Sequence, residues 1–502
     1  MVPEVDLAGT GGRVLGALRR HGLKIAHGKG VTGDLMDLLV AWEPSARIRM
    51  IDALGWVDGS FTAFALEGGR VLGATGETLR LASDTARAAR SAADPGTLAD
   101  WQREVAGRSV GNTLLIVGIS LSFAAPLVEL MGRREGAGLH FCGESGSGKS
   151  TIQAAANSVW RCGDAAHSWA TTANALEGIA ATRNSTLLTL DELKLAAPRD
   201  VDRAMYQLAN GDGKARANGR GHTLAIQSWK ITVLSSGETS LTMHLAEAGI
   251  AILPGQEARC LDICADGRAH KSYDTIHGEA RHLDFAKALS RAANAFHGTA
   301  GPAFVEWILE DPERARRDCE RLMREFSMQA AASLPRCEDD IVPRAMDTFA
   351  LIAAAGEMAT AAGITGWMRE DAMSATLEVA GRWIDSRLAP GRAAQHASIL
   401  CTRDFLRAYG TTRFLRAGAT EPMANLAGWR DDHHYYVLPD VWRVIHAGRD
   451  ASQAARHLAN AGLLRPGGRD ELQNKAPRAV TNRPRVYTDS ASIIDWEPTS
   501  DA

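Results

Sequence analysis

The stretch Gly143-Glu-Ser-Gly-Ser-Gly148-Lys149-Ser150-Thr151 decides how this sequence is interpreted. It fits the pattern G-x-x-x-x-G-K-[ST] without deviation, and a chance match somewhere in such a chain has odds of about one in a hundred. An apolar run, residues 138–142, leads into the stretch, and a helical pattern, residues 151–160, leads out of it. This order of strand, glycine-rich loop and helix predicts a phosphate-binding loop.

The residue types in this loop suit phosphate chemistry. Glycines let successive backbone N–H groups turn toward phosphate oxygens, and the N-terminus of the following helix adds partial positive charge. We expect Lys149 to bind the β- and γ-phosphates of ATP and the Ser150 hydroxyl to bind Mg²⁺. A glycine-rich turn that binds nothing is the less favoured alternative. The predicted nucleotide contacts are Gly143, Glu144, Ser145, Gly146, Ser147, Gly148, Lys149, Ser150 and Thr151.

A second apolar run, residues 186–190, ends in two adjacent carboxylates, Asp191 and Glu192. We expect Asp191 to hold the magnesium ion through water. Glu192 is predicted to orient and deprotonate the attacking water, which would distinguish a hydrolase from a protein that only binds nucleotide. Two solvated acids at a strand end are the alternative, and the phosphate-binding loop that precedes them favours the catalytic interpretation.

Two further positions are predicted to sense or stabilise the γ-phosphate. The strand-like run 229–234 ends in Ser235 and Ser236, and a small polar residue there would lie near the γ-phosphate. One of the two serines is therefore predicted to be a sensor. Arg259 enters the strand-like run 260–264. In ring ATPases an arginine at this point reaches the neighbouring subunit's nucleotide and stabilises transition-state charge. An ordinary salt bridge is the alternative for Arg259.

A basic, glycine-punctuated segment separates the second and third strand-like runs. Residues 211–230 contain four basic residues and one acidic residue, a net charge of +3. The dipeptide Asn218-Gly219 favours a β-hairpin turn. A basic hairpin at this point would line the central channel of a ring and bind DNA phosphates, whereas a solvated loop is the alternative. The predicted DNA contacts are Lys214, Arg216 and Arg220.

Composition and charge exclude several classes of protein. The chain has 502 residues, a net charge of −3 and 45% hydrophobic residues, which argues against disorder and against a globally basic nucleic-acid-coating protein. Seven scattered cysteines favour a reducing compartment, with Cys260 and Cys264 expected to be buried thiols. The first residues lack a signal-peptide pattern, and the charge-free run 114–128 is expected to be a buried helix. We expect a cytoplasmic protein with no membrane partner.

Taken in order, these motifs resemble AAA+ ATPases of the helicase clade that carry a pre-sensor hairpin. More closely, the chain resembles the domain-of-unknown-function 927 family, helicase-like ATPases of phages, plasmids and integrated mobile elements that are related to minichromosome maintenance helicases. The resemblance covers residues 100–390 well, and the run 343–357 is similar to the family's lid, which makes Arg344 a candidate second sensor. The segments that carry it are 143–151, 169–177, 190–193, 208–217, 234–238, 248–249 and 255–259.

The resemblance implies an α/β fold with an AAA+ P-loop ATPase core, a helical lid, a small N-terminal α/β domain and a C-terminal winged-helix-like domain. Helical patterns support the lid, and one of these helices is expected to stop at Pro390. In the N-terminal domain, the region from Leu81 to Val105 is also expected to be helical. The expected boundaries are 1–105 for the N-terminal domain, 106–300 for the core, 301–392 for the lid and 393–502 for the last domain.

The function implied is that of an ATP- and Mg²⁺-dependent DNA helicase or translocase, a homo-hexameric ring that takes part in replication of a mobile element. Single-stranded DNA would pass through its channel, and the last domain would bind duplex DNA or a subunit. A non-translocating AAA+ switch, such as an initiator, loader or defence ATPase, shares every ATPase residue and stays open. A small-molecule kinase explains the phosphate-binding loop but not the basic segment, Arg259 or the C-terminal region.

Overall fold

The computed structural model describes residues 12–20, 22–24, 30–42, 48–51, 53–74, 76–81, 96–213, 227–419, 421, 423–467 and 471–497. The chain divides into two compact units, Met1–Trp383 and Ile384–Ala502. The boundary between the units falls within one long helix. The finer division into four domains stays a prediction.

The strands of the first unit are β1 (Ile48–Ile51), β2 (Gly55–Trp56), β3 (Ala63–Ala65), β4 (Val71–Gly73), β5 (Thr78–Leu81), β6 (Ala137–Cys142), β7 (His167–Ser168), β8 (Leu187–Asp191), β9 (Thr232–Gly237) and β10 (Leu261–Cys264). Its helices are α1 (Gly12–Arg20), α2 (Val31–Ala41), α3 (Leu98–Trp101), α4 (Gly107–Ser109), α5 (Thr113–Leu130), α6 (Lys149–Asn157), α7 (Ala173–Ala181), α8 (Pro198–Asn210), α9 (Leu241–Ala246), α10 (Pro254–Glu257), α11 (His282–Ala295), α12 (Ala300–Glu310), α13 (Pro312–Ser333) and α14 (Val342–Ala361). A π-helical turn, Gln102–Ala106, joins α3 to α4. The helix α15 (Asp371–Tyr409) continues into the second unit.

A parallel sheet of five strands, in the order β10-β6-β9-β8-β7, forms the centre of the first unit. Parallel strands place all their carboxyl ends at one edge, and ligands of such sheets bind outside that edge. The glycine-rich loop follows β6, while β8 and β9 bring Asp191 and Ser236 to the same edge. The mixed α/β fold with a parallel sheet, expected from the sequence, is confirmed.

The helix α5 is a core element of the first unit. It is long and apolar enough to cross a membrane, yet 94% of it is buried inside the structure, as expected for the charge-free run. Pro126 lies inside it and, lacking an N–H group, leaves the carbonyl of Ser122 without its helical donor. Trp160 supplies the missing bond, because its Nε1 donates to that carbonyl at 3.0 Å. Packing between α5 and the segment after α6 therefore satisfies the carbonyl group that the proline leaves free.

Three expectations about local structure were wrong. Helix α15 does not stop at Pro390, because buried residues on both sides of the proline, Trp383 and Ile399 among them, hold the flanking turns in place. Leu81 ends strand β5, which pairs with β1, instead of beginning a helix. The other end of that region is helical, in α3 and the π-helical turn, and residues 82–95 lie outside the described residues. Cys260 is buried, but Cys264 is exposed because it is the last residue of an edge strand.

The N-terminal part of the first unit forms two small sheets, one of β1 and β5 and one of β2, β3 and β4. The indole Nε1 of Trp56, on β2, donates to the carbonyl of Pro126 at 2.9 Å. This bond ties the small sheet to the core helix α5.

The second unit is an α/β unit of its own. It contains β11 (Phe414–Arg416), β12 (Gly428–Arg430), β13 (His434–Val437), α16 (Pro439–Ile445), α17 (Ala451–Asn460), β14 (Asn474–Lys475) and β15 (Arg485–Ser490). Its sheet has the order β11-β12-β13-β15-β14, and the fully buried Trp442 lies in its core. A winged-helix-like domain remains a proposal for this unit.

Candidate nucleotide-binding site

Glycine is required at two turns of the loop between β6 and α6. Gly146 and Gly148 have φ angles of 70° and 120°, a region that residues with a side chain rarely adopt. At Gly148 a Cβ atom would also lie 2.4 Å from the hydroxyl oxygen of Tyr273. Helix α6 begins at the next residue, so the unpaired N–H groups of its first turn lie at the end of the loop.

The ammonium group of Lys149 is folded back over the loop. Its Nζ donates to the carbonyl oxygens of Gly143 at 2.8 Å and Glu144 at 2.6 Å, and the side chain is largely buried. These carbonyl groups are neutral acceptors, whereas phosphate oxygens carry negative charge and form hydrogen bonds about twice as strong. The geometry therefore suits exchange of the carbonyl contacts for the phosphates of a nucleotide.

The carboxylate of Asp191 connects strand β8 to α6 and β9. Ser150 Oγ, in the first turn of α6, donates to Asp191 Oδ2 at 3.1 Å, and Ser236 Oγ hydrogen-bonds the other oxygen, Oδ1. Gln153, on the next turn of α6, donates from Nε2 to backbone carbonyls of β8 and β9 at 2.9 and 3.1 Å. The structure thus brings Lys149, Ser150, Asp191 and Ser236 to one place at the carboxyl edge of the sheet.

The donor atoms at this place fit a magnesium ion. A serine hydroxyl and a carboxylate are the hard oxygen ligands that Mg²⁺ prefers, and in nucleotide sites Mg²⁺ takes one or two such groups with phosphate oxygens and water. In the described parts of the chain, no three His, Cys, Asp or Glu side chains come together as an all-protein metal cage. Ser150 and Asp191 therefore suit an ion that is shared with bound phosphates.

Glu192 leaves the strand in a conformation that separates its side chain from that of Asp191. Its φ and ψ are 62° and 61°, in the left-handed region, and its backbone N–H donates to Asp191 Oδ1 at 2.9 Å. For a residue other than glycine this left-handed conformation costs about 1 kcal/mol or more in free energy, and strained residues of this kind cluster at functional sites. Glu192 is exposed and directly follows Asp191 in the chain.

The two candidate sensor serines have different surroundings. Ser236 lies with Asp191, whereas Ser235 is fully buried on the other side of β9. His140 Nε2 donates to the carbonyl of Thr239 at 2.9 Å, and burial lowers the pKa of His140, so its Nδ1 accepts from Ser235 Oγ at 2.7 Å. Trp169 Nε1 donates to the same Ser235 Oγ at 2.8 Å. These bonds place Ser235 in the core, away from the phosphate-binding loop.

This difference predicts opposite effects for two alanine substitutions. Ser236→Ala is expected to lower kcat for ATP hydrolysis by about tenfold, roughly one lost hydrogen bond to the transition state, at an unchanged unfolding temperature. Ser235→Ala should lower the unfolding temperature, because His140 and Trp169 lose their buried partner, while the folded protein keeps its hydrolysis rate. Steady-state ATPase assays and thermal unfolding measure both quantities. The reverse pattern would show that Ser235 is the sensor.

The segment after β10 contacts the phosphate-binding loop and was missed from the sequence. Asp266 Oδ2 accepts from the backbone N–H of Glu144 at 2.8 Å, and Lys271 Nζ lies 2.6 Å from a carboxylate oxygen of the same glutamate. Tyr273, fully buried, packs against Gly148 and donates to its carbonyl at 3.3 Å. The sequence signal around Asp266-Gly267 is only that of a turn, because the contacts depend on the pairing of β10 with β6.

Arg259 and Arg344 lie away from this cluster. Arg259 comes just before β10 and pairs with Glu135, which comes just before β6, so both are at the amino edge of the sheet. Arg344, in the first turn of α14, helps to lower the pKa of Glu135 by its charge and therefore lies on the same side. Neither arginine joins Lys149 and Asp191 within this chain.

The predicted DNA contacts Lys214, Arg216 and Arg220 lie outside the described residues. The chain that enters and leaves this segment is antiparallel, with Asp212 and Ser228 forming a bridge. Gly213 N–H donates to the carbonyl of Gln227 at 2.8 Å, and the N–H of Trp229 donates to the carbonyl of Gly211 at the same distance. This pairing is the base that a hairpin requires.

Three features together define a P-loop α/β protein. They are a glycine-rich loop between the central parallel strand β6 and a helix, a lysine that folds over that loop, and a carboxylate at the end of β8, two strands away in the sheet. Residues 1–227 match the sequence profile of the family described as "Domain of unknown function (DUF927)". That match includes the phosphate-binding loop, Asp191 and Glu192, and it ends before Ser236 and Arg259. It also reaches the N-terminal segment, which the resemblance had covered less well.

A solved structure described as "SCCmec type IV Cch - active helicase" is similar in fold. The similarity covers 98% of this chain and 89% of that chain, with a TM-score of 0.57 and 18% sequence identity. At this identity the similarity shows the shared fold. No curated protein matches the sequence.

Proposed function

We propose that this chain is an ATP-dependent DNA helicase or translocase that works as a homo-hexameric ring in the cytoplasm and takes part in replication of a mobile element. The convergence of Lys149, Ser150, Asp191 and Ser236 at the carboxyl edge of the sheet carries the ATPase part of the proposal. Glu192 directly follows Asp191 and is exposed. The shared fold with a protein described as a helicase supports the helicase part.

Each group in the cluster has a step in hydrolysis. Lys149 and the loop N–H groups bind the β- and γ-phosphates. Ser150 and Asp191 would hold Mg²⁺, which when bound would neutralise charge on the phosphates. Glu192 orients a water molecule in line with the γ-phosphate and accepts its proton. Ser236 donates to a γ-phosphate oxygen once its bond to Asp191 is exchanged.

The positions of Arg259 and Arg344 support the ring. Both arginines lie at the amino edge of the sheet, opposite the phosphate-binding loop of their own chain. A head-to-tail ring would place that edge against the nucleotide of the next subunit, where the two arginines stabilise transition-state charge. The ATP site is then complete only between two copies of the chain.

The DNA part of the proposal rests on the basic segment. Its antiparallel base follows α8 and leads into β9, and the charged residues between the two sides of this base lie outside the described residues. Hydrolysis that shifts Asp191 and Ser236 would move this segment along a strand of DNA. Lys214, Arg216 and Arg220 bind phosphates without reading sequence.

The test is ATP hydrolysis by the purified protein with and without single-stranded DNA, at about 50 and 200 mM salt. We expect DNA to stimulate hydrolysis several-fold, less so at high salt, and the protein to displace one strand of a forked duplex. A Lys214→Ala/Arg216→Ala variant should lose both effects and keep DNA-independent hydrolysis. Hydrolysis that ignores DNA would instead favour a non-translocating switch, and dependence on a small-molecule acceptor would favour a kinase.

A further inference from the structure

Glu135 lies among three arginines at the amino edge of the central sheet. Arg259 Nη2 donates to Glu135 Oε1. This bond lowers the pKa of Glu135, and the charges of Arg344 and Arg133 lower it further. Arg133 is itself paired with Asp347 at 2.7 Å. Glu135 therefore stays ionised whether or not any single arginine moves.

The backbone of Arg259 and most of its side chain are packed against neighbouring residues, and the Nη1 end of its guanidinium group is the part left for another contact. Its carbonyl oxygen lies 2.6 Å from the place of a Cβ atom on Gly138, so the backbone packs closely on β6. Its stem lines a small apolar pocket with Trp169 and Met205. The side chain is 16% exposed, and Nε is buried without a hydrogen-bond partner among the described residues.

A guanidinium group carries five N–H donors in a fixed plane. Because Glu135 takes Nη2 and Nε is buried, Nη1 is the end that remains for another acceptor. An arginine without this bond would rotate about its last torsions and present Nη1 in many directions. Glu135, 47% exposed, is thus placed to fix the plane of Arg259 at the surface of the subunit.

We propose that Glu135 is a positioning residue for Arg259, and this inference rests on the proposed function in which Arg259 acts on the neighbour's ATP. Glu135 binds Nη2 and thereby aims Nη1 outward at the γ-phosphate held by the adjoining subunit. Its negative charge is needed because the ion pair adds the attraction of opposite charges to the hydrogen bond, whereas a neutral amide oxygen would keep only its bond to the guanidinium group. The pair contributes little to folding, since one partner is nearly half exposed.

The experiment compares steady-state ATP hydrolysis by full-length variants. Glu135→Gln is expected to lower kcat by about tenfold and to leave KM for ATP unchanged, because orientation matters in the transition state more than in nucleotide binding. Glu135→Asp should recover part of the loss, since it restores the charge. Glu313→Gln is the matched control, because Glu313 makes a similar exposed pair with Arg316 at 2.6 Å and should keep the full rate.

A double variant separates positioning from a general structural role. Glu135→Gln in an Arg259→Ala background should cause no further loss, because the residue that Glu135 positions is already absent. A further loss there, or an unchanged or increased kcat for Glu135→Gln alone, would overturn the inference while the proposed function stands. Normal hydrolysis by Arg259→Ala would instead overturn the role of Arg259 in the proposed function.

Discussion

Replacing Glu192 by glutamine is expected to lower the rate of ATP hydrolysis by about 10²–10⁴-fold, the usual contribution of a general base, while ATP still binds. The amide has the shape of the carboxylate but cannot accept a proton from the attacking water. The contacts of Lys149, Ser150 and Asp191 do not involve the Glu192 side chain, so nucleotide affinity should change little. Phosphate release and fluorescent-nucleotide titration measure the two effects separately.

Glu238→Gln is the matched control for this prediction. Glu238 lies beyond Ser236 at the same edge of the sheet, pairs with Lys194 and has its pKa lowered by that pair and by Lys149. It is another acid near the site to which the sequence analysis gave no role, and its exchange for glutamine should change hydrolysis by less than about threefold. If Glu238→Gln abolished hydrolysis and Glu192→Gln did not, the base would be Glu238.

The placement of the candidate site residues at one edge of the sheet could be predicted from the sequence because it is encoded locally. The loop 143–151 and the pair Asp191-Glu192 each follow an apolar strand, and parallel strands must bring their carboxyl ends together. No knowledge of side-chain contacts is needed for that conclusion. The same reasoning predicted α5 as a buried helix, because a charge-free run with Ser120, Ser122 and Pro126 suits a protein core better than a lipid bilayer.

What the sequence left undecided depends on contacts between distant segments. Ser235 and Ser236 are chemically identical neighbours, and only the facing of β9 shows which one meets Asp191. Asp266 and Tyr273 contact the phosphate-binding loop because β10 pairs with β6, which no local pattern records. The continuation of α15 through Pro390 likewise follows from burial of the flanking turns.

Arg259→Ala is expected to reduce ATP hydrolysis by about 10³-fold or more, the usual contribution of an arginine that acts across a subunit boundary. Lys149→Ala should be as inactive, because its phosphate-binding loop then lacks the lysine that binds the β- and γ-phosphates. Arg259 lies at the amino edge of the sheet and Lys149 at the carboxyl edge. In a ring, each ATP site would therefore take its lysine from one subunit and its arginine from the neighbouring subunit. Mixing the two inactive proteins should therefore restore hydrolysis, with up to about one quarter of the sites complete when subunits mix at random.

The restored activity has a specific origin. A subunit with Arg259→Ala keeps Lys149, Asp191 and Glu192, and a Lys149→Ala neighbour still supplies its arginine. Mixing Lys149→Ala with Glu192→Gln gives no such gain, because both changes damage the same side of the interface, and this mixture is the control. If the first mixture stayed inactive in rings of normal size, Arg259 would act within its own chain, and its pairing with Glu135 would be an ordinary salt bridge of the fold.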